Sequence, residues 1–395
     1  MKILCANVGS TSFKYEILDL DDSLSIVKGN IERIGNHPSY FTHVGPSGTS
    51  VTGEIDAPDH NVAIQHAIAQ IGDLSELAGI GFKTVFGKGI WRSALINEKV
   101  IEALVDYIPL APLHNPAYIA SIRAFQDLLP QMPLVAVFET WFHQTIPDYA
   151  YDFGVPRSWV EKYAIRRYGF HGASHRWISE RAPKLINRPL EGLRIISCHL
   201  GGSSSLCAIK SGKSIDTSMG ISTQYGVIQS TRTGDLDPFA VLYVMDQEHW
   251  DTKEITRQLM EESGLKGISG TSGDLRDVEA AANAGNDNAR LAMDTFFYGV
   301  KKQIGAYIAI LGGLDVIAFT GGIGEKSTTA RTQICLELGW LGIELDSKKN
   351  RNHLGEGDIS AGSSRVKVLV IPANEEIVVA RETAKVIEKN ISNAN

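Results

Sequence analysis

The sequence predicts an α/β protein in which one architecture occurs twice, and three features carry that prediction. An apolar strand (Ile195, Ile196, Cys198) breaks at Gly201-Gly202-Ser203-Ser204-Ser205 and returns as a second strand from Leu206 to Ile209. The N-terminus repeats the pattern, with an apolar run from Lys2, a turn at Gly9-Ser10-Thr11-Ser12 and a returning strand that ends at Leu20. In the two copies Asn7 falls where His199 falls and Gly9 where Gly201 falls, as in a duplicated fold. Third, a buried strand over 314–319 meets Thr320-Gly321-Gly322-Ile323-Gly324-Glu325 and a helix, the strand-turn-helix order of nucleotide-binding folds. Glycine lets backbone N–H groups converge on an anion without a Cβ in the way, and serine hydroxyls add donors. One such turn usually serves chain reversal alone; the second copy is what points to phosphate.

A chain of 395 residues has material for two or three domains. Charged residues at 21% and hydrophobic ones at 43% are ordinary for a globular protein. A net charge of −7 argues against a general nucleic-acid role, although not against a local anion site. Cys5, Cys198, Cys207 and Cys335 are scattered and mostly in apolar runs, so buried free thiols in a reducing, cytoplasmic setting are expected. The chain starts directly in a strand, which predicts no secretory signal, and no apolar run is long enough to span a bilayer.

In chain order, residues 24–57 alternate short polar and apolar pieces and continue an antiparallel sheet. The spacing of Val62, Ile64, Ala67 and Ile71 predicts a helix over 61–71. A strand over 80–86 holds Lys83, an odd charge that reads either as a snorkelling edge lysine or as a functional cation. Asn97 to Tyr107 is a capped amphipathic helix with Glu98 in its first turn. Pro112 and Pro116 predict a loop over 110–116, and a buried strand over 133–138 delivers Glu139 at its end, where open α/β sheets put their chemistry.

Arg166 to His175 is a basic, aromatic loop leading into a helix. His171 and His175 stand four apart, which suits a metal, but no third ligand is nearby in sequence. Arg232 lies among small polar residues, able to pair with Asp235 and Asp237 or to reach an anion as a planar fork. Residues 263–277 form another glycine-rich loop, and 286–311 form a long helix with Leu291, Phe296, Val300, Ile304 and Ile308 among its apolar positions. A strand over 366–371 leads to Asn374, an N-cap candidate, with Glu375 and Glu376 complementing the dipole of the last helix.

Together, Asn7-x-Gly-Ser-x-Ser-x-Lys14, Leu110-Ala-Pro-Leu-His-Asn-Pro116, Phe142-His-Gln-Thr145, Tyr168-Gly-Phe-His-Gly172, the hairpin at His199, Asp216-Thr-Ser-Met-Gly220, Thr231-Arg232, Phe319-Thr-Gly-Gly-Ile-Gly-Glu325 and Asn374-Glu-Glu376 resemble the acetate and butyrate kinase family, collinearly and over essentially the whole chain. The resemblance implies two duplicated actin/hexokinase-like (ribonuclease H-like) domains with a nucleotide cleft between them. It implies an N-terminal domain of 1–142 plus 376–395, and a C-terminal domain of 143–375 carrying most of the nucleotide site. It further implies a kinase that makes acyl phosphate and ADP from ATP and a short-chain carboxylate, with Mg²⁺ (Mn²⁺ as an alternative), as a homodimer.

Carried over by position, Asn7 and Glu375 would hold the metal. Ser10, Ser12 and Lys14 would face the phosphates with His199, Gly201, Gly202 and Ser203. Asp274, Leu275 and Arg276 with Gly322, Ile323, Gly324, Glu325 and Lys326 would surround the adenosine. His171 and Arg232 would stabilise charge on the phosphoryl group in flight, and Glu139 stands where the family has its catalytic aspartate. The acyl pocket would use Lys83, Val85, Leu113, Phe170 and Thr223. Lys83 replaces an arginine, Phe82 and Phe86 replace histidines, Gly202-Ser203 replace Asn-Gly, and Thr223 replaces a proline. Substrate positions thus depart more than nucleotide positions. That leaves open a hydroxy acid or another acceptor, a pyrophosphate donor (which the retained adenosine loop disfavours), or a nucleotide-binding relative without turnover.

Overall fold

The protein is described by a computed structural model over residues 1–84, 86–112 and 114–394. The chain forms two compact units, Met1–Trp141 with Asn374–Asn395, and Phe142–Ala373.

The first unit opens with five strands, β1 (Lys2–Val8), β2 (Ser12–Asp19), β3 (Leu24–Glu32), β4 (Ser39–Val44) and β5 (Ser50–Ile55). Helix α1 (His60–Ile71), strand β6 (Leu77–Thr84), the short β7 (Ala94–Leu95), helix α2 (Glu98–Asp106), helix α3 (Asn115–Leu128) and strand β8 (Leu134–Phe138) follow. The sheet order is β5-β4-β3-β2-β1-β6-β8-β7, with the meander antiparallel and β1, β6 and β8 mutually parallel. Strand β6 therefore has a neighbour on both sides, and Lys83 is not an edge residue. The loop expected over 110–116 gives way early: α3 starts at Asn115 with Pro116 in its first turn, where the missing N–H costs nothing. Asn115 is fully buried and donates from Nδ2 to the Leu104 carbonyl at 2.8 Å, fastening α3 to α2.

In the second unit come α4 (Asp148–Tyr151), α5 (Arg157–Tyr163), α6 (Gly172–Leu185), and strands β9 (Arg194–His199), β10 (Ser205–Lys210) and β11 (Lys213–Thr217). Five helices follow: α7 (Pro238–Glu248), α8 (Thr252–Glu261), α9 (Gly264–Ser269), α10 (Leu275–Asn283) and α11 (Asp287–Leu311). The unit ends with β12 (Val316–Thr320), α12 (Gly321–Lys326), α13 (Thr328–Cys335), α14 (Ser347–Asn352), β13 (Gly357–Asp358) and β14 (Lys367–Val370). Its sheet, β11-β10-β9-β12-β14-β13, repeats the plan of the first: an antiparallel hairpin leads into three parallel strands. The duplication read from the two hairpins is thus a duplication of sheets.

Helix α11 turns Phe296, Val300, Ile304 and Tyr307 into the core of this unit, against Phe319 and Ile196, so its apolar length is largely spent inside its own unit. Leu291, by contrast, is exposed. Helix α7 buries no residue at all; PFAVLYVMDQE is apolar on most sides and has no 3.6-residue stripe, so periodicity did not reveal it. The last helix, α15 (Glu375–Ala394), belongs to the first unit and lies on β6, β1 and β8. Gly79 and Gly81 permit that approach, because a Cβ at either would run into Ile387 or Thr383. All four cysteines are buried and free. Among the described residues no helix is long and apolar enough to cross a membrane.

Candidate functional site

In the second unit, the turn between β9 and β10 is built around a buried amide. Gln229 Oε1 accepts from Ser203 Oγ at 2.9 Å and from the Ser204 N–H at 3.3 Å, while its Nε2 donates to the Thr223 carbonyl at 2.7 Å. Arg232 Nη1 donates to the same Gln229 oxygen and to Ser203 Oγ, both at 3.1 Å. Among the described residues no carboxylate pairs with Arg232, and burial pulls its guanidinium below the ordinary arginine range. A permanent cation donating to neutral oxygens beside a glycine turn has the chemistry to take an anion. The alternative, an arginine pairing Asp235 and Asp237, is not what forms: Asp235 accepts from the Gly226 N–H and Asp237 caps α7.

Beside this turn lies a cavity of about 640 Å³. Gly201, Gly202 and Ser230 form one wall, Gly273 to Arg276 with Glu279 a second, and Gly322, Ile323 and Lys326 to Thr329 a third. The loops are stitched together by backbone: the N–H groups of Ile323 and Gly324 both donate to the Leu200 carbonyl, at 2.8 and 3.1 Å. Gly321 is obligatory there, since its φ is +77° and a Cβ would stand 2.7 Å from that same carbonyl oxygen. Asp274 caps α10 and is held low, to about 2, by hydrogen bonds from the Arg276 side chain and backbone. Size, glycine walls and a polar rim suit a nucleotide.

Next to the turn stand four histidines. His171 sits at φ +56° as the N-cap of α6, a left-handed conformation that a non-glycine residue adopts at some cost. Its ring stacks on His199 with centroids 4.1 Å apart. His143 donates from Nε2 to the Phe170 carbonyl at 3.0 Å and meets Ser214 Oγ through Nδ1 at 2.9 Å; burial pulls it down to about 4. His175 is fully buried and likewise held well below the usual histidine range by burial. Serines occupy the i, i+4 pair of rings, His171 at Nδ1 and His175 at both nitrogens, and the described residues hold no group of three or more His, Cys, Asp or Glu placed to share a metal ion.

In the first unit, Asn7 and Lys14 are register partners on β1 and β2. The intervening turn closes through the Gly9 N–H to the Ser12 carbonyl at 2.8 Å, and His60 Nε2 donates to the Gly9 carbonyl at 2.9 Å. Ser10 and Lys14 are exposed and Ser12 half-buried. Lys83 extends from β6 to the Glu375 carboxylate at the start of α15, and lies 3.7 Å from Glu139 Oε1 after β8. Burial alone would lower the Lys83 ammonium, but Glu139 and Glu375 more than reverse this and hold it well above its ordinary range. Tyr118, buried beside them, has its phenol pushed up by burial. Asn7 and Glu375 offer a neutral and an anionic oxygen, hard donors of the type Mg²⁺ takes when water and phosphate supply its other ligands.

A family model described as the Acetokinase family matches residues 2–381. The chain belongs to the acetokinase family. It is 46% identical to the acetate kinase of Halothermothrix orenii, over 98% of this chain and 100% of that one. It is 43% identical to the acetate kinase of Acetivibrio thermocellus, with 98% and 100% covered. Among solved structures it is similar to Porphyromonas gingivalis acetate kinase, with TM-score 0.88 and 37% identity over 98% of this chain and 99% of that one. A propionate kinase from Francisella tularensis gives TM-score 0.89 at 36% identity, covering 97% and 99%.

Of the acetokinase residues expected at the nucleotide, Gly201, Gly202, Asp274, Leu275, Arg276, Gly322, Ile323 and Lys326 line the cavity. Gly324 is buried behind it, and Glu325 turns away to accept from the Gly321 and Ala373 N–H groups at 2.9 and 3.0 Å. His199 and Ser203 lie in the strand end and turn beside the cavity rather than on its walls, and Ser10, Ser12 and Lys14 belong to the other unit. Phe170 is buried and Thr223 half-buried. Val85 and Leu113 lie outside the described residues. Sequence reading missed Gln229, whose isolated amide gives no motif, and Ser327, Thr328 and Thr329, which follow the glycine loop directly.

Proposed function

We propose that this acetokinase-family chain is a phosphotransferase with a carboxyl group as acceptor, transferring the γ-phosphoryl group of ATP to a short-chain carboxylate, reversibly. A carboxylate oxygen attacks the γ-phosphorus, the bond to the β-phosphate bridging oxygen breaks, and acyl phosphate and ADP result. The observation that carries the reading is the glycine-walled cavity of the second unit with Arg232 uncompensated beside it. Acetate and propionate, the acids named by its relatives, are the first candidates.

In this reading Gly201, Gly202 and Ser203 orient the phosphates through N–H and hydroxyl donors. Arg232 and His171 stabilise the charge spread over the moving phosphoryl oxygens, which favours transfer without a strong base. Lys83 supplies the cation of the acceptor region and is oriented by Glu139 and Glu375. Asn7 and Glu375 would hold Mg²⁺, which would neutralise nucleotide phosphate charge when bound. The chain works as a homodimer. Support for that comes from α7, where Phe239, Leu242 and Tyr243 are 74, 58 and 66% exposed, more apolar surface than a helix facing water needs.

Hydroxylamine trapping tests the proposal: protein, ATP and Mg²⁺ with acetate, propionate, butyrate, lactate or glycolate in turn. A hydroxamate from acetate or propionate is expected. No hydroxamate from any acid would favour a nucleotide-binding relative without turnover, and a product from the hydroxy acids alone would redirect the acceptor.

A further inference from the structure

His171 is in contact with buried side chains on its inner side. His171 Nδ1 lies 2.8 Å from Ser205 Oγ, that oxygen lies 2.8 Å from His175 Nε2, and His175 Nδ1 lies 2.8 Å from Ser197 Oγ. Three short contacts in series connect a half-buried ring to the interior, and Ser205, His175 and Ser197 are each fully buried. The register produces this chain. Ser197 and Ser205 face α6 from the antiparallel pair β9 and β10, and His171 and His175 stand one helical turn apart on α6.

Proton counting restricts what the chain can do. A serine hydroxyl has one proton, so Ser205 donates to one imidazole and must accept from the other. If it donated to His171, Nδ1 would be an acceptor, and the ring could take no second proton without breaking the contact. If it donates to His175 Nε2, it accepts from His171 Nδ1–H whether His171 is neutral or charged, and His175 Nδ1–H donates to Ser197. Only the second arrangement survives protonation of His171. His175 stays neutral in it, as its burial requires.

We propose that Ser205 and His175 are positioning residues that keep the Nδ1 of His171 protonated and leave Nε2 as the nitrogen that gains or loses a proton beside the phosphoryl group. The inference rests on the proposed role of His171 in phosphoryl transfer. The proton on Nε2 comes from and returns to water, so no other reactant is needed. Groups that face these rings include His199, stacked on His171, His143, 5.6 Å from His175 by ring centroids, Arg166 acting on His143, and Cys207, 3.9 Å from His143 Nδ1. The contact from His171 Nδ1–H to Ser205 Oγ favours the charged ring, because it is kept when Nε2 gains its proton.

The test is the pH dependence of His171 acylation by diethyl pyrocarbonate, read by peptide mass, in the wild type, Ser205→Ala, Ser205→Thr and His175→Phe. Acylation needs the neutral ring. Losing a hydrogen bond to a charged group should move the His171 midpoint down by about one pH unit in Ser205→Ala. His175→Phe should move it the same way and serves should Ser205→Ala fold poorly, while Ser205→Thr should restore the wild-type midpoint. The fall of kcat with rising pH should shift with the midpoint, at an unchanged KM for ATP. Unchanged midpoints in both Ser205→Ala and His175→Phe would overturn the relay. A His171→Gln protein with wild-type kcat would instead overturn the transfer role of His171, a failure separable from the first because the midpoint is measured without turnover.

Discussion

Arg232 carries a charge that no carboxylate among the described residues neutralises, so its removal should be felt where negative charge moves. Arg232→Ala should lower kcat by roughly 10²- to 10³-fold, the cost of one transition-state donor, with a smaller change in the KM for ATP. Steady-state kinetics decide it; an unchanged kcat with a large rise in KM would make Arg232 an ordinary binding residue. Lys83 makes the opposite point. Its sequence context, one cation in an apolar strand, signals that something is odd but not what surrounds it. The two carboxylates that hold it arrive from residues 139 and 375, far away in the chain. Lys83→Met removes the cation that these two carboxylates share and should cost about 2–3 kcal/mol in thermal unfolding, less than for a wholly dry pair. His143 predicts a pH effect. Burial holds it at about 4, whereas the unfolded chain takes up the proton near pH 6.5. Stability should therefore fall as pH drops from about 6.5 to about 4, by roughly 3 kcal/mol in total, with His175 adding in the same direction. Melting curves across that range should flatten in His143→Gln; identical slopes would show that the ring is not held neutral.

Elements were legible where their periodicity was clean. The hairpins β1–β2 and β9–β10, helix α1, helix α2 with its Asn97 cap, and strands β8 and β12 all follow from patterns a sequence displays. Helix α1 begins one residue earlier than its apolar spacing, because Asp59 accepts from the Val62 N–H and sets the start. Helices α7 and α3 were not legible, the one for want of a stripe and the other because Pro116 looks like a breaker when it is the first turn. At the loop opening α12, glycine identity is a physical requirement. Gly321→Ala must abandon a φ of +77° or push the Leu200 carbonyl aside, which also carries the Ile323 and Gly324 hydrogen bonds. That substitution should cost on the order of 1–3 kcal/mol and raise the KM for ATP more than it lowers kcat. Calorimetry and nucleotide titration check both; wild-type affinity would mean the wall forms without this turn.

At the scale of the molecule, the duplicated sheet plan puts nucleotide-type loops in one unit and the lysine-carboxylate group in the other. The repeated hairpin made that duplication readable, since each copy opens its own sheet. The proposed dimer was less readable: helix α11, long and apolar in the sequence, is largely spent on its own core, and exposed apolar surface stands on α7. Leu242→Asp should shift the sedimenting species from dimer toward monomer at micromolar concentration, and an unaltered dimer would place the interface elsewhere. Acting together, the two units would move a phosphoryl group between a carboxylate and a nucleotide. That transfer is tested most directly in the downhill direction, since an acyl phosphate is a mixed anhydride that phosphorylates ADP readily. Protein, Mg²⁺, ADP and acetyl phosphate are followed by ³¹P NMR. The acetyl phosphate resonance should disappear as ATP grows in equal amount, with Arg232→Ala slower by roughly 10²- to 10³-fold. Release of inorganic phosphate without ATP, or no change at all, would contradict it.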